Sequence, residues 1–476
     1  MPISRSIGLS VLSIALSLGL LTHAAYSALD HEHFGIDTSS YLIPADNLLH
    51  GKGFVNALHQ PELRRTPGYP LLLSIFRVAP LRVEYLIFVQ HALCVLLVVA
   101  VAAVALRITD SNLVALVAAL VLSLDLATLR IANLLLTEIT SAVLIALTAW
   151  TVYRVMTKPG DGLLMSAVAG FFGGCAALVR PVAILYFVPL SICMFLTLRR
   201  SALRPVLVFV TCFLLLPLLW ATRNFVEGDY FGMSTIGAED LLYYRAAGAL
   251  AIQQPGIYLA NVLQVREELE NQACSDLDRA YERDCSQVTE TQRASYSTHK
   301  GMSIILRNPL SYLRSTVLAL AYIVFGGGTE ALSRISNVST RTAEYIVLLF
   351  TVPEAFLAFV GCWYWNRHDR KACYLLVFTI AYFLIISAGA EAYSRFRVPV
   401  MPMYALLIGG GAGGIAQWIR RVRTSRAVSA HPLATQSQFL LTGCQARTGI
   451  SDTGRRSDAT IASTSQQVRA WFPAFH

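Results

Sequence analysis

VEYLIFVQHALCVLLVVAVAAVAL, Val83–Leu106, is an apolar run long enough to cross a bilayer as one helix, for which about 20 residues are needed. Nine further runs accompany it: Ile7–Leu29, Leu113–Leu129, Ile139–Val155, Leu163–Leu178, Val182–Leu198, Val206–Trp220, Tyr345–Trp365, Cys373–Ser387 and Val398–Trp418. Lipid offers peptide groups no hydrogen-bond partner, so runs of this kind are helices rather than strands. Composition agrees. The 476 residues are 55% hydrophobic and only 14% charged, with a mean hydropathy of +0.55, whereas soluble domains carry about 25% charged residues. The sequence predicts an all-α polytopic membrane protein with about 10–12 transmembrane helices.

The net charge of +9 does not point to nucleic acid, because the basic residues do not cluster on a soluble domain but gather in short connectors. These are Arg107, Arg154 with Lys158, Arg199 with Arg200 and Arg204, Arg367 with Arg370 and Lys371, and Arg420 through Arg426. Such connectors face the cytoplasm. With the N-terminus inside, residues 30–82 and 223–311 emerge on the other side as two larger loops. The short outer turns are Arg130–Glu138, Arg180–Pro181 and Gly389–Arg397. Tyr312–Phe325 is too short for this scheme as a span and is expected to lie in or dip into the outer leaflet. Residues 1–426 form the membrane domain. The polar stretch 427–476 has no apolar period and is expected to be a disordered cytoplasmic tail. The first run also has the shape of a secretory signal. Cys274 and Cys285 share the second outer loop, where an oxidising compartment would allow them to pair.

Ionisable residues gather at the outer ends of these helices. GIDTSSYLIPADNLLHGKGF (Gly35–Phe54) follows the first span and carries Asp37, Tyr41 and Asp46. Asp37 and Tyr41 share a helix face, and RRTPGYP (Arg64–Pro70) follows with Arg64, Arg65 and Tyr69. Glu138 opens the fourth span, Arg180 separates two spans, Arg223 ends the seventh, and Arg395 and Arg397 precede the last. Each has a plain structural explanation. Asp37 can cap a helix, Tyr41 can anchor at headgroups, Glu138 can favour a helix dipole and Arg180 can snorkel. Together they suit another task, since ionisable groups at a membrane face are costly and mark function. An arginine fork binds phosphate, and a neighbouring carboxylate removes a proton from an attacking hydroxyl.

The order of motifs resembles the GT-C glycosyltransferases, the superfamily of protein O-mannosyltransferases and aminoarabinose transferases. The matching pieces are Asp37–Tyr41 (D-x-x-x-Y), Gly51–Phe54 (GKGF), Thr66–Pro70 (TPGYP), Thr137–Glu138, Leu178–Pro181 (LVRP), Trp220–Asn224 (WATRN) and Ser394–Pro399 (SRFRVP). The resemblance covers roughly Ile7 to Arg421. It implies a GT-C-like fold and an inverting transfer of sugar from a polyprenyl-phosphate donor to an extracytoplasmic lipid, glycan or protein acceptor. Its catalytic base maps onto Asp37, with Asp46 and Glu138 as alternates, and its lipid-phosphate contacts onto Arg395 or Arg397, with Arg180 and Arg223 in support. Tyr41, Arg64, Arg65 and Tyr69 belong to the substrate loop. Where some members have an acidic pair, Thr38 follows Asp37 here. Some members hold a divalent metal, for which Glu138 with His31 or His33 is the candidate set, although no ligand spacing supports it. The location implied is the inner or plasma membrane, with the active site facing out. Two other readings stay open: a transporter or flippase of lipid-linked saccharides, and a polysaccharide ligase or polymerase.

Overall fold

The computed structural model describes residues 5–77, 83–158, 162–390 and 394–429. Most of the expected tail (427–476) and part of the turn before Arg395 therefore lie outside the described residues. The chain divides into Met1–Trp418 and Ile419–His476, and everything below concerns the first unit. The described elements are helices, with one isolated bridge between Val55 and Pro61. The first half contains α1 (Arg5–Leu29), α2 (Thr38–Leu49), α3 (Gly68–Arg77), α4 (Val83–Thr109), α5 (Asn112–Leu124), α6 (Leu126–Ala132), α7 (Glu138–Thr157), α8 (Gly162–Val179), α9 (Phe187–Leu198) and α10 (Leu203–Gly228). The second contains α11 (Ile236–Asp240), α12 (Ala247–Ala251), α13 (Tyr258–Tyr281), α14 (Glu290–Arg307), α15 (Pro309–Phe325), α16 (Thr329–Ser336), α17 (Thr340–His368), α18 (Arg370–Ile386) and α19 (Met401–Ser429).

Among the described residues, eight helical segments are long and apolar enough to cross a membrane, or ten if two bent pairs each count as one span. This is an all-α polytopic architecture. The run at Cys373–Ser387 forms α18, whose 17 residues rise about 26 Å and sit at the short limit of a span. Leu113–Leu129 is not the single straight span the sequence suggests, because it bends by 54° between α5 and α6. The cause is Asp125. Its backbone leaves the helical region, and its carboxylate accepts hydrogen bonds from the Thr128 amide (2.9 Å) and hydroxyl (2.6 Å), so a new helix begins there. The second bent pair is α15 and α16, which turn by 43° across Gly326–Gly328. By its geometry this pair is either a broken span or a re-entrant segment.

Small residues let the long helices pack closely, as they must where lipid supplies no hydrophobic drive. A Cβ at Gly361 of α17 would stand 1.9 Å from the Leu407 carbonyl of α19, and one at Gly411 would stand 2.0 Å from the Leu357 carbonyl. On the other side of the bundle, Gly170, Gly173 and Gly174 of α8 receive Phe209 and Phe213 of α10. Large apolar side chains remain exposed on the outer faces, Phe359 at 78% and Leu219 at 61% among them, as expected of surfaces solvated by lipid.

The helix α10 runs past Trp220 to Gly228, where Asp229 closes it in the left-handed conformation. The second loop begins only there and folds into the short helices α11 and α12 and the hairpin of α13 and α14, in which a disulfide ties Cys274 of α13 to Cys285 in the turn before α14.

A topology test follows. Reporters fused at Gln60 and at His368 should read out on opposite sides of the membrane. Readout on the same side would make α15 and α16 a complete crossing.

Candidate functional site

The segment after α1 is pinned to the α6–α7 turn by hydrogen bonds that its sequence supplies. Thr38 donates to the Leu135 carbonyl (3.1 Å) and accepts from the Gly35 amide (2.8 Å), while the Leu135 amide donates to His33 (3.0 Å). Beneath it lies a small core of Tyr41, Tyr69, Leu73, Leu86, Ile87, Leu135, Ile139 and Val398. The Tyr69 hydroxyl bonds to Gln90 Oε1 (3.1 Å), and Gln90 Nε2 donates to the carbonyls of Ala132 and Leu134. Gly68 in TPGYP is required by close approach, since a Cβ there would lie 2.7 Å from the Leu178 carbonyl at the end of α8. This fit draws Arg65, Arg180 and the start of α7 together.

Six of the residues singled out from sequence converge here. Asp37 precedes α2, and its two carboxylate oxygens are each held by an arginine: Oδ1 by Arg65 and Oδ2 by Arg395, both at 3.0 Å. Arg65 also donates to the Tyr41 hydroxyl (3.1 Å), and its guanidinium lies 4.5 Å from the centre of the Tyr41 ring. Glu138, buried in the first turn of α7, meets Arg180 at 2.7 Å and Arg395 Nε at 3.9 Å. The guanidiniums of Arg180 and Arg395 lie over the same Phe396 ring, at 5.7 and 5.1 Å. Three arginines thus face two carboxylates, leaving one positive charge over. Asp37 occupies the cap position of α2 but makes no side-chain capping bond. Its carboxylate is committed to arginines instead.

The electrostatics follow from this geometry. Burial pushes the Asp37 carboxyl up, but Arg395 and Arg65 outweigh it and hold the group below the usual carboxylate range. Burial drives the hydroxyls of Tyr41 and Tyr69 the other way, well above the usual range for Tyr69, so both stay protonated.

The remaining candidates stand elsewhere. Arg397, two residues from Arg395, is buried and bonded to Asp125 (2.5 Å) and the Val324 carbonyl (2.9 Å). It joins the α5–α6 break to the end of α15 and takes no part in the Asp37 cluster. Arg223 is a strut: it donates to the carbonyls of Phe54 (2.7 Å) and Glu62 (2.9 Å) and stacks on Trp220. Arg64 pairs with Glu239 at 2.9 Å. Asp46 lies about 2.5 turns along α2 from Asp37, on the opposite side of the helix. The proposed metal set does not fit. Glu138 is taken by Arg180, His33 bonds to the Asn133 carbonyl (3.1 Å), and no three metal-ligating side chains gather among the described residues.

Some residues that build this end of the molecule escape motif reading. Gln90 is fully buried in an apolar run, and that lone amide is its signal. Glu62 Oε1 accepts from the amides of both Arg64 (2.7 Å) and Arg65 (2.9 Å) and so sets the turn between them. A second buried pair, Arg130 with Asp30 at 2.8 Å, fastens the end of α1 to α6.

No family model and no curated protein matches the chain. Among solved structures it is similar to the oligosaccharyltransferase AglB from Archaeoglobus fulgidus in complex with an inhibitory peptide and a dolichol-phosphate. The identity is 14% and the TM-score 0.45, over 93% of this chain and 52% of that one. It is also similar to ArnT from Cupriavidus metallidurans bound to undecaprenyl phosphate, at 11% identity and a TM-score of 0.40 over 87% of this chain and 78% of that one. The chain thus spans about half the length of AglB.

The division between the two arginines is testable. Arg397→Met strands the buried Asp125 charge and should cost about 3–5 kcal/mol, read as a lower unfolding midpoint in detergent. Adding Asp125→Leu should restore most of the loss, because a buried pair is replaceable by apolar residues. Wild-type stability in Arg397→Met would exclude this anchoring role.

Proposed function

We propose that the chain is an inverting glycosyltransferase of the GT-C type that moves a sugar from a polyprenyl-phosphate donor to an extracytoplasmic acceptor. The observation that carries this reading is the meeting of Asp37, Arg65, Glu138, Arg180 and Arg395 at one end of the helices, with positive charge in excess. An acidic lipid with its phosphate at the membrane face and its tail between the helices complements such a site. Asp37 takes the proton of the acceptor hydroxyl or amine as that atom bonds to C1 of the sugar. The C1–oxygen bond to phosphate breaks on the opposite face, which inverts the configuration. The departing polyprenyl phosphate leaves with the electron pair, and Arg395 and Arg180 meet its charge. Tyr41 positions Arg65, and Glu138 positions Arg180.

Two observations support an outward-facing site. The basic connectors after α4, α7 and α17 lie at the helix ends opposite to the one that carries Glu138, as the positive-inside rule requires. The Cys274–Cys285 disulfide belongs to an oxidising compartment.

A second reading, a transporter of lipid-linked sugar, has one observation in its favour. The broken pairs α5–α6 and α15–α16 meet at the buried Asp125–Arg397 contact, and broken helices mark many transporter sites. The pair is deeply buried, Asp125 is also held by Thr128, and Arg397 also reaches the Val324 carbonyl, which suits an anchor better than a substrate site.

Asp37→Asn separates the readings. In cells that lack the wild-type protein, the variant should insert normally yet leave the same envelope glycan or lipid unglycosylated as a deletion does. General-base catalysis is typically worth 10²–10⁴-fold, so residual transfer should be about a percent or less. Near-normal transfer by a well-inserted Asp37→Asn protein would remove Asp37 from the chemistry.

A further inference from the structure

Resting on that reading, we propose that Arg395 changes partner during the reaction. It holds the Asp37 carboxylate while the site is empty of donor and turns to the donor's phosphate when this arrives, so that donor binding frees the base. The two arginines on Asp37 are not equivalent. Arg65 is the more firmly held: its side chain is 8% exposed, it bonds to both Asp37 and Tyr41, it lies over the Tyr41 ring, and its backbone amide is held by Glu62. Arg395 is 29% exposed. Its one hydrogen bond is to Asp37, whereas Arg65 makes two, to Asp37 and Tyr41; its Nε, unpartnered like that of Arg65, lies 3.9 Å from Glu138, which Arg180 already meets at 2.7 Å. A guanidinium has five N–H donors, and those of Arg395 are largely unspent. Phosphate accepts them in the bidentate manner a fork favours.

The surroundings permit the exchange without moving the backbone. The 3₁₀ turn Ser394–Val400 is fastened by Arg397 to Asp125 and Val324, so the Arg395 side chain reorients from a fixed base. Its neighbour on the Phe396 ring, Arg180, already faces the same space. Around Asp37 stand Arg65 and, farther off, Arg64 from the loop before α3, Tyr41 from α2, Glu138 from α7, Arg180 after α8 and Arg395 before α19. The two direct arginine contacts hold the Asp37 carboxyl below its ordinary range, which makes it a poor base in the empty site. Losing one of them restores basicity. The acceptor, or water, is therefore not activated until a sugar donor is in place.

The test uses the full-length protein in lipid nanodiscs and polyprenyl monophosphate, the donor's leaving group, as the probe. Infrared difference spectra follow the carboxyl band that is missing in Asp37→Asn. Without the lipid, Asp37 should protonate below the usual carboxylate range, and with saturating lipid at a higher pH. Arg395→Gln should show the higher value without lipid, should not respond to it, and should bind it at least about tenfold more weakly. Lipid that binds but leaves the wild-type titration unmoved would overturn the exchange and leave the glycosyltransferase reading intact. A titration in Arg395→Gln identical to wild type would also overturn it. Failure of polyprenyl monophosphate to bind at all would overturn both readings. If Arg395→Gln does not fold, the wild-type titration alone decides.

Discussion

The contact between Asp125 and Arg397 is the constraint on which the site-bearing end of the bundle depends. One carboxylate both starts α6 and receives the arginine that anchors the turn before α19. The same arginine reaches the Val324 carbonyl, so the end of α15 is tied to the same point. Gly327 and Gly328 complete the junction, since a Cβ at either would run into Arg397 or Leu126. A charge buried this deeply is tolerated only when its partner is fixed, and here the fixing of the pair also fixes three irregular backbone segments. Arg395 is placed opposite Asp37 because Arg397, two residues on, cannot move.

The cluster itself obeys the same rule at the membrane face. Each carboxylate is opposed by an arginine from a different segment, so the arrangement exists only once α2, α7, the end of α8 and the start of α19 are packed. The excess of one guanidinium is affordable because Arg395 keeps partial access to solvent. The site is thereby assembled and unsaturated at once, which is the condition for taking up an anion.

Much of this was legible in the sequence, for physical reasons. Apolar runs of spanning length have one structural solution in lipid, and ionisable residues at their ends are expensive enough to stand out; Asp37, Arg65, Glu138, Arg180 and Arg395 were all visible in this way. What the chain order hid was partnership. Arg395 and Arg397 belong to one motif and differ only in which side of a 3₁₀ turn they leave, and the partner of Arg397 is 272 residues away. Arg223 resembled a phosphate ligand because two of its acceptors are backbone carbonyls distant in sequence, which no residue type reveals. Asp37 did occupy a helix cap position, yet its side chain bonds outward. The bend at Asp125 was hidden by an otherwise unbroken apolar run.

Glu62 has a consequence of a mechanical kind. By holding the amides of Arg64 and Arg65 on one oxygen, it turns two adjacent side chains to different tasks. Arg64 reaches Glu239 at the edge of α11, and Arg65 reaches Asp37. The segment α11 and Asp37 are therefore linked across a single peptide unit. A displacement of α11 is thus passed through this turn to Arg65, the more deeply buried of the two arginines on Asp37.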